Sequence, residues 1–204
     1  MKINQIGTYL GLIVVLSACG ERTTSEEHTS NAKSFIENRE LRKSEIELKN
    51  ALKVDGGNSE ARFLLGKLYL SEGNSLGAVK ELEHAYSLQF DINETVPLLA
   101  RAYLLAENYD ELLSYFKDDD DLVKDSKIKY LAFKSIGALR IAKVELAQEI
   151  TQQLNVLSDS HSYTLLANAY LSFSKSKIDE ALSFVSKALL TDPQNIDALL
   201  LQGH

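Results

Sequence analysis

The sequence has no tryptophan, one cysteine, two prolines and ten glycines. A single thiol, Cys19, excludes an intrachain disulfide and is too few for a structural zinc site. With only Pro97 and Pro193, and glycine sparse, a turn-dense β-sandwich is disfavoured and long helices are expected. Positive charge is also short: 22 Lys and Arg against 29 Asp and Glu leave a formal charge of −7. That removes the broad cationic field on which phosphate contacts depend, so no nucleic-acid partner is expected. Catalytic groupings are missing as well. His28, His84, His161 and His204 are scattered, with no pair at the helical spacing of a zinc site. Ser30-Asn31-Ala32-Lys33 matches a bare S-x-x-K but lacks the companion S-D-N and K-T-G motifs, and there is no glycine-rich phosphate loop. No enzyme activity, metal, cofactor or small-molecule substrate is expected. The run Asp118 to Asp121 lacks the pattern of a calcium loop and reads as a solvated acidic turn. Because carboxylates are disfavoured at the negative end of a helix dipole, the helix before it should end early.

The long apolar run that would span a bilayer is missing too. Tyr9 to Leu16 (YLGLIVVL) follows Lys2 and is too short to cross comfortably, as in an export signal. It leads into Leu16-Ser17-Ala18-Cys19, which resembles the lipobox of bacterial lipoproteins. That resemblance implies a signal peptide over 1–18, lipidation of Cys19, and a membrane tether through several acyl chains, which hold far better than one. A plain secretory signal with a chance cysteine, or an uncleaved anchor, are the alternatives. Gly20 stands where many enterobacterial lipoproteins carry an inner-membrane retention aspartate. The expectation is therefore the outer membrane, facing the periplasm. Glu21 to Ser30 (ERTTSEEHTS) has no apolar periodicity, so 19–30 reads as the lipidated cysteine and a flexible tether.

What is present begins at Ala61 to Leu88, ARFLLGKLYLSEGNSLGAVKELEHAYSL. Gly66 and Tyr69 on a first helix, with Ala78, Leu82 and Ala85 on a second, sit where two antiparallel helices must touch. This spacing resembles the tetratricopeptide repeat (TPR), whose period is about 34 residues. The same register gives Ala32, Phe35, Leu48 and Ala51 in the repeat before. In the repeat after, it gives Ala100 and Tyr103 followed by Leu112 and Asp119 in place of the alanines, which makes that second helix atypical. A fourth repeat aligns Ser135, Ala138, Ala147 and Leu154. A fifth aligns Ala167, Tyr170, Ala181 and Ala188, with two extra residues in the turn SFSKSK. The expected fold is all-α: a TPR superhelical solenoid over 31–204, with five repeats and the first helix of a sixth. That last helix exposes Ile196, Leu199, Leu200 and Leu201, as expected of the N-terminal part of a longer array or of a truncated reading frame.

In TPR proteins, residues of the first helices line a concave groove. The place after the small residue carries Lys33, Lys67 and Arg101, a cation in each of three successive repeats; Ile136 and Asn168 follow. The ladder would suit an acidic or C-terminal carboxylate ligand, with Leu70, Leu104, Leu105 and Leu171 adding apolar contact. The alternative is pairing within each helix, as of Lys33 with Glu37.

The segments IELKNAL, EARFLLGKLYL, AVKEL and VPLLARAYL, within Ala32 to Phe116, resemble the N-terminal repeats of PEP-CTERM-system TPR lipoproteins. That resemblance implies an envelope scaffold, with proteins or peptides as partners, in a protein-sorting or exopolysaccharide system. A lipoprotein assisting pilus or outer-membrane protein assembly is the alternative, as is the non-catalytic front of a longer enzyme.

Overall fold

Stretches of helix-forming residues, many opened by a side chain that caps the first turn, alternate with short turns along the chain. The computed structural model describes residues 23–116 and 121–203. Cys19 with the whole signal segment, Asp118 to Asp120, and His204 lie outside the described residues. The helices are α1 (Ser25–Glu37), α2 (Leu41–Val54), α3 (Ser59–Ser71), α4 (Ser75–Ser87), α5 (Ile92–Leu105) and α6 (Tyr109–Ser114). They continue with α7 (Lys124–Arg140), α8 (Val144–Ser158), α9 (Ser162–Ser174), α10 (Ile178–Thr191) and α11 (Ile196–Gln202). Successive helices pair as antiparallel hairpins, and the hairpins stack through α2 on α3, α4 on α5, α5 on α7 and α7 on α9. This is the TPR-type solenoid expected, but it begins earlier than position 31: Ser25 to Ser30 form the first turns of α1, with Ser25 and Thr29 buried, and are not part of a flexible tether.

The caps are legible locally. Thr24 and Glu27 form a reciprocal capping box, and Asn58, Asn74 and Asn195 each accept a backbone N–H from the first turn of the helix they precede. Two of these asparagines do more. Asn58 donates to Ser25 Oγ at 2.8 Å, and Ser25 donates to the Ala51 carbonyl at 3.0 Å. Asn195 repeats the arrangement on Ser162 at 2.7 Å, with Ser162 donating to the Ala188 carbonyl at 3.1 Å. One polar clip thus fastens each of these hairpins to the helix that follows it.

Every hairpin turn has the same build. Between the paired helices the middle turn residue is left-handed: Arg39, Gly73, Glu107, Ala142 and Ser176, with φ between 58° and 77°. At one constant spacing before it stands a small buried residue: Ala32, Gly66, Ala100, Ser135 and Ala169. This corrects the fifth repeat. Its turn, Lys175 to Lys177, has no insertion relative to Glu72 to Asn74, and the register of α9 lies two residues later than the spacing predicts. Ala167 is buried, but Ala169 holds the close-packing place and Ser172 the aromatic one. Tyr170 is only partly buried.

The third repeat departs as expected: α6 stops at Ser114, well before the acidic run. Leu112, where an alanine is usual, is fully buried, and a Cβ placed on Gly137 of α7 would lie 2.6 Å from its Cδ2. The large residue on one helix is accommodated by the missing side chain on the other. Tyr115 and Phe116, just past α6, pack their rings with Tyr86, Tyr103 and Tyr130 at centroid distances of 5.1 to 5.6 Å. Aromatic packing fills the space that a longer second helix would take. Pro97 inside α5 has no N–H for the Asn93 carbonyl; Ser126 of α7 donates to that carbonyl instead, at 2.8 Å.

Candidate binding groove

The first helices α5, α7, α9 and α11 share one face, and that face is largely apolar. Leu105, Ile136, Leu139, Tyr170, Phe173 and Leu200 line a chamber of about 760 Å³, together with Arg140. A smaller recess of about 270 Å³ adjoins it and brings in Leu104, Leu166 and Asp197. Arg140 is exposed and its guanidinium lies 5.8 Å from the Tyr170 ring centroid, a cation–π distance. Burial pushes the Tyr170 hydroxyl above the usual tyrosine range, against the lowering effect of Arg140. The phenol therefore stays protonated, a neutral donor beside a cation.

The three cations do not form a free ladder. Lys33 pairs with Glu60 of the next repeat at 2.5 Å, not with Glu37 on its own helix. Arg101 is engaged across the groove: its Nε donates to Asp197 of α11, at 2.9 Å to Oδ1 and 3.1 Å to Oδ2. Both side chains are mostly buried, so Arg101 is not open to a ligand. Of the three, Lys67 alone is exposed and forms no ion pair with a described residue. Leu70 is likewise withdrawn: it is buried in the main core with Phe63, Val79 and Leu99. Leu104 does reach the groove.

The packing residues cluster as the size pattern requires. Gly66 faces Leu82, where an added Cβ would lie 2.6 Å from Cγ. Ala78, Ala85, Ala100, Ala167, Ala181 and Ala188 are fully buried, as is Tyr103, whose hydroxyl donates to Glu83 Oε1 at 2.6 Å. Tyr69 is partly buried, 3.4 Å from Glu45 Oε1. Arg140, Phe173 and Leu200 were not singled out for the groove from sequence. Their signal is the turn register: anchored on Ser176, the place after the small residue in the fifth repeat is Tyr170 rather than Asn168.

Among the described residues there is no group of three or more His, Cys, Asp or Glu placed to hold a metal ion. None of the described helices is long and apolar enough to cross a membrane.

No protein-family model matches the chain, and no curated protein matches it. Solved structures do. YrrB, described as a TPR protein with an unusual peptide-binding site, superposes with a TM-score of 0.62 at 15% identity, over 88% of this chain and 92% of its own. PilF of Pseudomonas aeruginosa gives 0.60 at 16% identity, over 87% and 80%. PilW, described as a widely conserved type IV pilus biogenesis factor, gives 0.62 at 16% identity, over 87% and 82%. These likenesses establish the TPR-type fold.

Proposed function

We propose that this chain is a non-catalytic TPR scaffold of the bacterial envelope that holds protein partners along the face of its first helices, in the assembly of a type IV pilus or a comparable envelope structure. The observation that carries the scaffold is the shared face of the stacked first helices, which runs from the exposed Lys67 on α3 to the largely apolar groove of α5, α7, α9 and α11. The pilus assignment is supported by the similarity to PilW, described as a type IV pilus biogenesis factor. The lipobox-like Leu16-Ser17-Ala18-Cys19 supports an outer-membrane tether facing the periplasm. The resemblance of EARFLLGKLYL and its neighbours to PEP-CTERM-system lipoproteins supports a second reading, a scaffold for protein sorting or exopolysaccharide export.

Deletion of the gene in its own host tests these readings together. Loss of surface pili, restored by the wild-type chain but not by Cys19→Ser, is the expected result. Normal piliation with mislocalised PEP-CTERM-tailed proteins would favour the sorting role, and no change in either would remove both. Incorporation of a fatty-acid label that persists in Cys19→Ser would overturn the lipid tether.

A further inference from the structure

The chamber between α5, α7, α9 and α11 has the make-up of a small-ligand site. Its volume of about 760 Å³ lies in the range of pockets that bury most of a small organic molecule, roughly 300 to 1,000 Å³. Its walls are aliphatic and aromatic, from Leu105, Ile136, Leu139, Tyr170, Phe173 and Leu200. The polar side chains among its lining are Arg140, Tyr170 and Ser174, and the Ser174 hydroxyl already donates to the Leu171 carbonyl at 2.7 Å. Arg140 forms no ion pair among the described residues; its guanidinium lies 5.8 Å from the Tyr170 ring centroid and hydrogen-bonds with the Tyr170 side chain, which holds it beside the apolar wall. Arg101, the nearby groove cation, is already satisfied by Asp197.

This combination selects among occupants. A peptide seated against these walls would bring backbone N–H and C=O groups at every residue, and the lining offers them few partners beyond Arg140, Tyr170 and Ser174. An alkyl chain brings none. A single anionic head would meet the unpaired guanidinium, which binds carboxylates in a two-pronged, charge-assisted way. We propose that the chamber binds an amphiphilic monocarboxylate, a medium-length alkyl chain seated against Tyr170, Phe173 and Leu200 with its carboxylate on Arg140. The ligand is bound and not transformed. It occupies the groove of the later repeats and leaves α1 and α3 open to a protein partner, so the inference stands apart from the pilus assignment.

Calorimetric titration of the full chain with sodium dodecanoate, below its micelle concentration, tests this. One saturable site per chain is expected, with affinity falling about fourfold for each methylene removed across the decanoate-to-dodecanoate series. Dodecanol, which lacks the charge, and dodecyltrimethylammonium, which reverses it, are expected to bind at least about tenfold more weakly than dodecanoate. Arg140→Gln, an exposed change that leaves the core untouched, should weaken dodecanoate about tenfold and leave dodecanol unchanged. Leu139→Glu, in the partly exposed wall, should abolish both. Non-saturable uptake, equal binding of dodecanoate by Arg140→Gln, or no dependence on chain length would overturn the proposal. So would tight binding of a peptide with an apolar C-terminal residue in place of the alkyl acid; that outcome would leave the scaffold reading intact.

Discussion

Arg101 of α5 and Asp197 of α11 meet across the groove, 96 residues apart in sequence, with the guanidinium Nε 2.9 Å from one carboxylate oxygen and 3.1 Å from the other. The contact ties the third repeat to the first helix of the sixth, so one wall of the groove is held by the chain's own acid. Both partners are mostly buried, which makes the pair worth more than an exposed bridge and makes an orphaned partner costly.

Removing the acid should show this. Asp197→Ala is expected to lower stability by about 1.5 to 3 kcal/mol, the scale of a lost hydrogen bond to a charged group. Amide protons of α11 should exchange faster. In a double-mutant cycle with Arg101→Ala, urea titration should give a clear coupling between the two sites. Strictly additive effects would mean that the contact adds nothing.

The hairpin turns allow a backbone test free of packing. Gly73 has φ +77° and nothing within 4 Å of an added Cβ, so Gly73→Ala would cost only the left-handed strain, about 1 kcal/mol. Ala142 occupies the equivalent turn at φ 58° with a Cβ already in place. Ala142→Gly is therefore expected to stabilise by up to about 1 kcal/mol, reduced by glycine's greater freedom in the unfolded chain. Opposite signs in urea midpoints are the result to look for; equal signs would contradict the shared turn.

Close helix approach is tested at Gly66. Alanine there gains roughly 1 kcal/mol of helix propensity but meets Leu82 Cγ at 2.6 Å, an atom near the backbone of a fully buried side chain. Overpacking of this kind costs about 1 to 3 kcal/mol, so the net change should be destabilising. Gly137→Ala meets only the tip of Leu112, Cδ2, which can rotate away. It should cost less than Gly66→Ala by thermal unfolding, and the reverse order would mean that α6 is packed more rigidly than α4.

Alkaline pH should weaken the fold. Burial, and then the hydrogen bond donated to Glu83, hold Tyr103 far above the ordinary tyrosine range, and burial raises Tyr163 and Tyr170 too. In the unfolded chain these phenols ionise near pH 10, while the folded protein keeps them neutral. Their contribution is thus complete below about pH 10 and is lost as pH rises above it. Above about pH 11, where the unfolded phenol is almost fully ionised, Tyr103 should add up to about 1.4 kcal/mol per pH unit to the loss. Tyr103→Phe should make the slope shallower by that amount, measured as urea midpoints at several pH values.

Much of the architecture was legible because TPR packing is a matter of size at fixed helical spacing. Gly66, Ala78, Leu82 and Ala85 identify a hairpin without reference to the rest of the chain. The early end of α6 follows from the charge that comes after it. The fifth repeat lies two residues from the register its spacing predicts, because Ala167 and Ala169 are both small and buried and the aromatic Tyr170 matches the register of Ala167. Only the turn geometry at Ser176 separates them.

The groove was less legible. Its cations were identified by place along each helix, and that place does lie on the first-helix face. Whether a cation there is free depends on what lies opposite. Lys33 found Glu60 on the neighbouring helix, and Arg101 found Asp197 three repeats on. Sequence spacing determines which face of a helix is buried, because that is set within a few turns. The meeting of α5 with α11 is the sum of small rotations between successive repeats, which no local pattern encodes. Local size and spacing along the chain were enough for the helical hairpins and their stacking. Contacts between distant repeats enclose Arg101 within the molecule and leave Arg140 facing the open chamber.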